Sequence, residues 1–291
     1  MVLDADAAWR LVLALRDRPC DRHTAADLTV RPDGGWTAPE PPVPEVRALL
    51  DLYLPLAASG TWVLGHLGQS LDGRIACESG HSAALNDDPN LDHLHRLRAL
   101  ADAVVVGAGT ARADDPRLTT RRVAGTSPVR VVLAGARPLA PGLRLFTDGA
   151  APTLVIRTAA AAPCPPGVPC VTVDAGPDGA PAPAAVCAAL ARRGLRRVFV
   201  EGGGRTVSAF FEAGVLDRLQ ICVAPLLIGA GVPAMTLPPV AALGDAVRLD
   251  GRWLPMGRDM LFDCVLRQDG PAAAEDGADD ERRGLADRVG V

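Results

Sequence analysis

Lysine is absent: all 30 basic side chains among the 291 residues are arginines, a bias that reads as coding preference and not as a design feature. Aromatic residues amount to only 3%, and no arginine cluster forms a continuous basic stripe. Nucleic-acid binding needs neutralised phosphates and stacking surfaces, so no nucleic-acid partner is expected and a small substrate is. No stretch of about 18 or more uncharged apolar residues occurs, so no membrane span is expected. The beginning, MVLDADAAWRLVLALRDRP, puts Asp4 and Asp6 ahead of its apolar stretch and interrupts that stretch with Trp9, Arg10 and Arg16. A secretory signal needs a basic start and an unbroken apolar run, which leaves a cytoplasmic location as the expectation. The seven cysteines (Cys20, Cys77, Cys164, Cys170, Cys187, Cys222, Cys264) are odd in number, scattered and free of any C-x-x-C. Reduced thiols are the plain reading.

Metal and nucleophile signatures are missing as well. His93 and His95 stand two apart on a predicted helix, so their side chains diverge. Cys20 and His23 have ligand-like spacing, but no second pair closes a tetrahedral site. The deaminase pattern H-x-E with P-C-x-x-C and the nucleophile elbow G-x-S-x-G are both absent. No metal is expected.

What is present is a chain of formal charge −4 with 48% hydrophobic and 22% charged residues. That is enough apolar material for an ordinary core, and it excludes a wholly disordered or fibrous chain. Residues 1–60 read as an appendage that caps the main domain. One helix is expected from about Ala7 to Arg16, then a polar Gly/Pro stretch over Arg31–Trp36. A stiff Pro39–Pro44 linker and a second short helix over Val46–Leu54 follow. From Thr61 strands and helices alternate. Strands are expected over 61–69, Ala103–Val106, Val129–Leu133, Thr153–Ile156, Cys170–Val173, Arg197–Glu201, Leu219–Ala224 and Met260–Leu266. Helices are expected over Asp88–Ala101, Ala184–Arg193 and Thr206–Ala213, with Asp87 or Asp88 capping the first and Pro89 in its first turn. The pattern argues for an α/β sheet covered on both faces, over residues 61–267. The tail from Gln268 to Val291 reads as flexible.

Three segments could carry chemistry. Arg197-Val-Phe-Val-Glu-Gly-Gly-Gly-Arg-Thr206 runs a strand into three glycines and a helix. Such a turn permits positive φ, and its free N–H groups can cradle a phosphate. Its spacing departs from G-x-G-x-x-G, so it is not the dinucleotide fingerprint. Glu201 stands at the carboxyl end of the strand, where α/β sheets bind ligands. Gly107–Arg121 again follows a strand and supplies Thr110, two acids and Arg117 and Arg121. By itself it reads as a solvated loop. In Gly65-His-Leu-Gly-Gln-Ser-Leu-Asp-Gly73, glycine at 65 and 68 within a strand implies that another group approaches the backbone closely.

Taken together, S-L-D-G-R-I-A (70–76), H-R-L-R-A-L-A-D-A-V-V-V-G-A-G-T (95–110), A-D-D-P-R-L-T-T-R (113–121) and V-E-G-G-G-R-T-V-S-A-F-F-E-A-G-V-L-D-R-L (200–219) resemble the riboflavin-biosynthesis pyrimidine reductases, the RibD C-terminal domain family. Ala224-Pro-Leu-Leu-Ile-Gly229 adds the A-P-x-x-x-G element. The resemblance implies a dihydrofolate-reductase-like fold with a mixed, mostly parallel sheet and helices on both faces, usually as a homodimer. It also implies NADPH-dependent reduction of the ribosyl group of a phosphoribosylamino pyrimidine to ribityl. Carried over, Ser82, Arg98, Leu118 and Arg121 contact substrate, the two arginines holding its phosphate. Glu201 lies near the reacting sugar carbon. Gly68, Thr110, Asp114, Gly203, Gly204, Arg205 and Thr206 meet the cofactor, and Arg137 or Arg157 is available to a 2′-phosphate. Either Glu201 or His66, directly or through water, manages the proton.

This chain departs from the pattern in several places. His66 stands where many members have Lys, and Ala84 where many have Trp. Ala134-Gly135 replaces a frequent Asp-Ser, and the N-terminal appendage stands in place of the deaminase domain that often precedes. A paralogous NADPH reductase of a pterin or specialised-metabolite C=N or C=O substrate is the alternative reading.

Overall fold

The computed structural model describes residues 3–17, 23–25 and 28–266. Cys20 and the tail from Gln268 onward lie outside them. The first part of the chain holds α1 (Ala5–Asp17), a small antiparallel sheet of β1 (His23–Ala25), β2 (Leu28–Val30) and β3 (Trp36–Thr37), and α2 (Pro44–Ala58). There follow β4 (Trp62–Ser70), β5 (Arg74–Cys77), α3 (Asp88–Leu100), β6 (Ala103–Gly107), α4 (Ala108–Asp114), β7 (Val129–Ala134), α5 (Arg144–Thr147) and β8 (Thr153–Arg157). The chain continues with β9 (Cys170–Thr172), α6 (Pro183–Ala191), β10 (Arg197–Glu201), α7 (Gly204–Glu212), β11 (Arg218–Ala224), β12 (Gly231–Pro233), β13 (Gly251–Met256) and β14 (Asp259–Val265).

The central sheet has nine strands in the order β13-β14-β11-β4-β10-β6-β7-β8-β9. Every neighbouring pair from β11 to β9 is parallel, and the β13–β14 hairpin closes the edge antiparallel to β11. A mixed, mostly parallel sheet is therefore what this sequence forms. The two-residue period of the strands splits the core. Val104, Val106, Val132 and Phe199 face α1, α2 and α3, whereas Val105, Val131, Val198 and Val200 face α6 and α7. Such runs, apolar at every position, belong to strands covered on both faces.

The extension is part of this core. Trp9, Leu49, Leu50 and Tyr53 are buried in one cluster with Leu97, Leu100 and Phe199. Two indole N–H groups add fixed links, Trp9 to Ala124 O (2.9 Å) and Trp62 to Leu56 O (3.0 Å). Helix α2 runs past the expected Leu54 and contains Pro55. A proline has no N–H for the carbonyl four residues earlier. Here that carbonyl, Asp51 O, accepts from Arg252 Nη2 instead, at 2.9 Å.

Other expectations need correction. The Arg31–Trp36 stretch turns between β2 and β3, and the start of the Gly107–Arg121 loop is helix α4. Asp87 is the N-cap residue of α3, as expected, but its side chain makes no capping bond and accepts instead from Arg258 Nη2 at 3.1 Å. Cys164 and Cys170, expected as free thiols, are disulfide-bonded with Cα atoms 6.5 Å apart. Within the C-P-P-G-V-P-C loop a turn closes from Pro165 O to Val168 N at 3.2 Å, with Gly167 at a φ of +77°. Cys77, Cys187, Cys222 and Cys264 are free.

Candidate active site

Three parallel strands, β6, β10 and β4, meet at their carboxyl ends, and the register places Glu201 opposite His66. Next to that pair, the strand-to-helix turns after β10 and β6 interlock. A Cβ at Gly107 would stand 2.6 Å from Thr206 Oγ1, and one at Gly203 would stand 2.9 Å from Thr110 Oγ1. Gly202 and Gly203 have φ of +67° and +73°, a region side-chain-bearing residues seldom occupy. The glycine-rich turn is thus forced both by its own backbone and by its neighbour.

Two cavities open there. The first, about 420 Å³, is lined by His66, Gly68, Ser82, Thr110, Asp114, Leu118, Glu201 and Gly203. The second, about 570 Å³, takes in Thr110 and Gly203 again together with Gly107, Gly204, Arg205 and Thr206. Shared walls at Ile75, Thr110, Gly203 and Val232 join the two into one cleft. All the expected site residues except Arg98 and Arg121 reach this cleft.

Arg98 lies behind Glu201. It is 6% exposed, and its Nε donates to Glu201 Oε2 at 2.7 Å while Nη2 donates to Oε1. Its Nη1 donates to Thr119 O at 3.0 Å. The guanidinium is therefore engaged on both edges, and its first task is to orient the carboxyl of Glu201. Arg121 is exposed. Desolvation, followed by the positive charges of Arg98 and Arg117, lowers its pKa, which marks a local concentration of positive charge.

His66 is 2% exposed, with Nε2 at 3.2 Å from Asn90 Oδ1. Burial pulls its pKa down to about 4, although the charge of Glu201 and the contact to Asn90 oppose this. Its ring packs 5.4 Å from that of His93. His93 in turn bridges Tyr53 Oη (2.6 Å) and Gln220 Oε1 (2.9 Å), and burial lowers its pKa to about 3. His93 and His95 do diverge, and both are buried and hydrogen-bonded. Asp114 faces the first cavity with a pKa raised by burial.

The close approach expected at Gly65 and Gly68 is present. A Cβ at Gly65 would stand 3.0 Å from Leu216 Cδ1, and one at Gly68 would stand 1.9 Å from Asn86 Oδ1. Asn86 and Asn90, which the motifs did not single out, also line the first cavity. They are the chain's only two asparagines and flank the start of α3, which was the available signal. Arg157 is not free for a ligand, because its guanidinium donates to the carbonyls of Thr158, Ala159 and Ala162. Neither it nor Arg137 lines either cavity, whereas Arg205 does. At the turn of Ser70–Arg74, Asp72 accepts from Ser70 Oγ (2.5 Å) and Gly229 N (2.6 Å), contacts that lower its pKa to about 2. They tie this turn to the Ala224–Gly229 loop.

Comparison with known proteins agrees with this architecture. The family model for the RibD C-terminal domain matches residues 61–253. The riboflavin biosynthesis protein RibD of Mycobacterium tuberculosis is 34% identical over 203 residues, 68% of this chain and 52% of that protein. The 2,5-diamino-6-ribosylamino-4(3H)-pyrimidinone 5′-phosphate reductase of Methanothermobacter thermautotrophicus is 32% identical over 217 residues, 71% of this chain and 98% of that protein. The crystal structure of a diaminohydroxyphosphoribosylaminopyrimidine deaminase/5-amino-6-(5-phosphoribosylamino)uracil reductase from Thermotoga maritima shares the fold. It has a TM-score of 0.62 at 24% identity, over 77% of this chain and 62% of that one. The chain spans about half the length of the RibD relatives it matches first. Ordered motifs, sheet topology and family match coincide over the same residues, and the chain belongs to the RibD C-terminal domain family.

Proposed function

We propose that the protein is an NADPH-dependent reductase of a phosphoribosylamino pyrimidine, converting the ribosyl group to a ribityl chain. The observation that carries this reading is the position of Glu201. It ends β10 opposite His66 in one cavity, and the glycines that follow it lead directly into a second. The residues present suit a dinucleotide. Gly107 and Gly203 have no room for side chains, so backbone lines the approach to the start of α7, where a helix favours a phosphate. Arg205 would meet the additional phosphate of NADPH, and Thr110 and Asp114 its polar parts. When bound, NADPH supplies the hydride that reduces C1 of the opened sugar.

The remaining work falls to the protein. Arg121, with Arg117 beside it, would hold the substrate phosphate through a fixed guanidinium fork. Ser82 and Leu118 would flank the sugar and the base. The open sugar is an imine, and adding hydride at carbon with a proton at nitrogen completes the reduction. Glu201, oriented by Arg98, presents an acceptor beside the positive charge of the protonated imine. His66 is neutral at physiological pH, so it orients and packs without serving as a resident cation. A water held by Glu201 is the proposed route of the proton. Cytoplasmic location, a homodimer, and residues 1–60 as a cap on a 61–267 reductase unit belong to the same proposal.

The test is nicotinamide absorbance during incubation with the deaminated pyrimidine ribosyl phosphate, with its 2-amino precursor and with dihydrofolate. Oxidation with either phosphorylated pyrimidine is expected, and Glu201→Gln should cut turnover by about 10²–10⁴-fold while leaving NADPH affinity unchanged. Turnover untouched by that substitution, with cofactor binding lost instead, would remove Glu201 from the chemistry. Oxidation with dihydrofolate alone would favour the pterin-type paralogue.

A further inference from the structure

Residues Thr119–Arg122 form no helix or strand, yet their backbone is firmly held. Two successive main-chain amides, those of Arg121 (2.9 Å) and Arg122 (3.3 Å), converge on a single atom, His95 Nδ1. An N–H donates, so Nδ1 must accept from both, and the neutral ring carries its proton on Nε2. The ring is 3% exposed. Its pKa is depressed to about 3 by burial first and then by Arg98, Arg121 and Arg122, so the acceptor persists at any physiological pH.

The conformation being held is a costly one. Asp115 and Leu118 have φ of +39° and +51° without being glycine, a region that side-chain-bearing residues occupy only when their surroundings hold them there. Three guanidinium groups, Arg98, Arg117 and Arg122, raise the potential at Arg121, and Arg98 Nη1 sits 3.3 Å from His95 Nε2. Released from its anchors, the segment would relax so that these charges separate. Arg130 Nη1 fixes it at Arg117 O (3.2 Å) and Arg98 Nη1 at Thr119 O (3.0 Å). Among the described residues His95 alone accepts from the backbone amides of Arg121 and Arg122, whereas the Arg122 side chain is held separately by Asp92 Oδ1 (2.5 Å) and Asp88 Oδ1 (3.0 Å).

We propose that His95 is a positioning residue for the substrate's phosphate. Its Nδ1 holds the Arg121 backbone so that the Arg121 guanidinium stays beside Arg98 and Arg117 and within electrostatic reach of Glu201. The inference rests on the function proposed above, and it gives a buried histidine with no contact to the reacting atoms a specific task. Phosphate binding offsets the repulsion that the anchored cluster maintains, so affinity for a phosphorylated sugar should depend on an acceptor at this one position.

The experiment is calorimetric titration of the full chain with ribose 5-phosphate and, separately, NADPH, together with steady-state kinetics. His95→Leu is expected to weaken ribose 5-phosphate at least tenfold and to raise KM for the phosphorylated pyrimidine by a similar factor. NADPH affinity and kcat should stay within about twofold. His95→Asn, whose Oδ1 falls where Nδ1 was, should recover most of the loss. Should His95→Leu fail to fold, His95→Gln replaces it, because its amide group reaches the level of Nε2 and leaves the two backbone N–H groups unmet. Unchanged ribose 5-phosphate affinity in the Leu or Gln variant, or no recovery in the Asn variant, overturns the assignment. Equal losses in NADPH affinity, KM and kcat overturn it too, because they signify general structural damage. A wild-type protein that binds NADPH but not ribose 5-phosphate overturns the substrate reading itself, and the role of His95 with it.

Discussion

Acidification should unfold this protein well before its carboxylates are protonated. His66, His93 and His95 are each nearly inaccessible, and their pKa values are lowered from 6.5 to about 4, 3 and 3 respectively. In the unfolded chain the same rings take up protons near their ordinary value. Between about pH 6.5 and 4 the unfolded state therefore binds more protons than the folded one, and stability falls as pH falls. Each ring contributes a slope of up to about 1.4 kcal/mol per pH unit, which by about pH 5 amounts to roughly 2 kcal/mol apiece and 6 for the three. A whole domain is stable by about 5–15 kcal/mol, so the loss is decisive. Asp72 and Asp263, both held near 2, respond only at lower pH, and Asp114, raised by burial, takes up its proton earlier in the folded state and so opposes the histidines in part. Urea unfolding followed by tryptophan fluorescence at about pH 8, 6.5 and 5 measures the effect. His93→Gln should remove about a third of the dependence. A midpoint that stays constant from about pH 6.5 to 5 would show that these rings are protonated equally in both states, and the reasoning would fail.

Two further outcomes follow from packing and charge. Gly204→Ala would put a methyl group 1.9 Å from Ala234 O, a backbone atom that cannot rotate away, so the 233–236 segment must lift from α7. A stability loss of about 1–3 kcal/mol and at least tenfold weaker NADPH binding are expected, and a thermal melt and titration matching wild type would contradict this. Asp263 is 3% exposed and accepts from Arg218, Gln220 and Arg252. Asp263→Asn leaves the buried Arg218 without its counter-charge and should cost about 3–5 kcal/mol by denaturant unfolding; a change under about 1 would mean that the pair is solvated.

The readable parts of this molecule are those with local causes. Unbroken runs such as Ala103–Val106 announce buried strands, and glycine at 65 and 68 announces a close neighbour, which is Leu216 in one case and Asn86 in the other. Helix α4 escaped because seven residues that run on into Asp115-Pro116 offer no amphipathic period, and it is stabilised by β6 and β7 against it. Strand β13, G-R-W-L-P-M, has no strand pattern of its own; pairing with β14 creates it, with Pro255 tolerated because the edge has no further partner. The site was legible as a set of residue types but not as a division of labour. That Arg98 serves Glu201, from 103 positions away in the chain, is decided by the meeting of α3 with β10, and no local spacing encodes it.

The missing amide of Pro55 bears on how the molecule can be dissected. Because Asp51 O turns to Arg252, and Arg252 also holds Asp263, the early helix is laced to the closing hairpin near the other end of the described chain. A fragment cut at the matched boundaries, 61 and 253, would strip α1 and α2 from Leu97, Leu100 and Phe199 and sever β13 from β14. Such a fragment would retain the signature motifs and yet lose the scaffolding that keeps them in register. Expression boundaries for this protein should therefore be drawn around the shared core, not around the recognisable stretch.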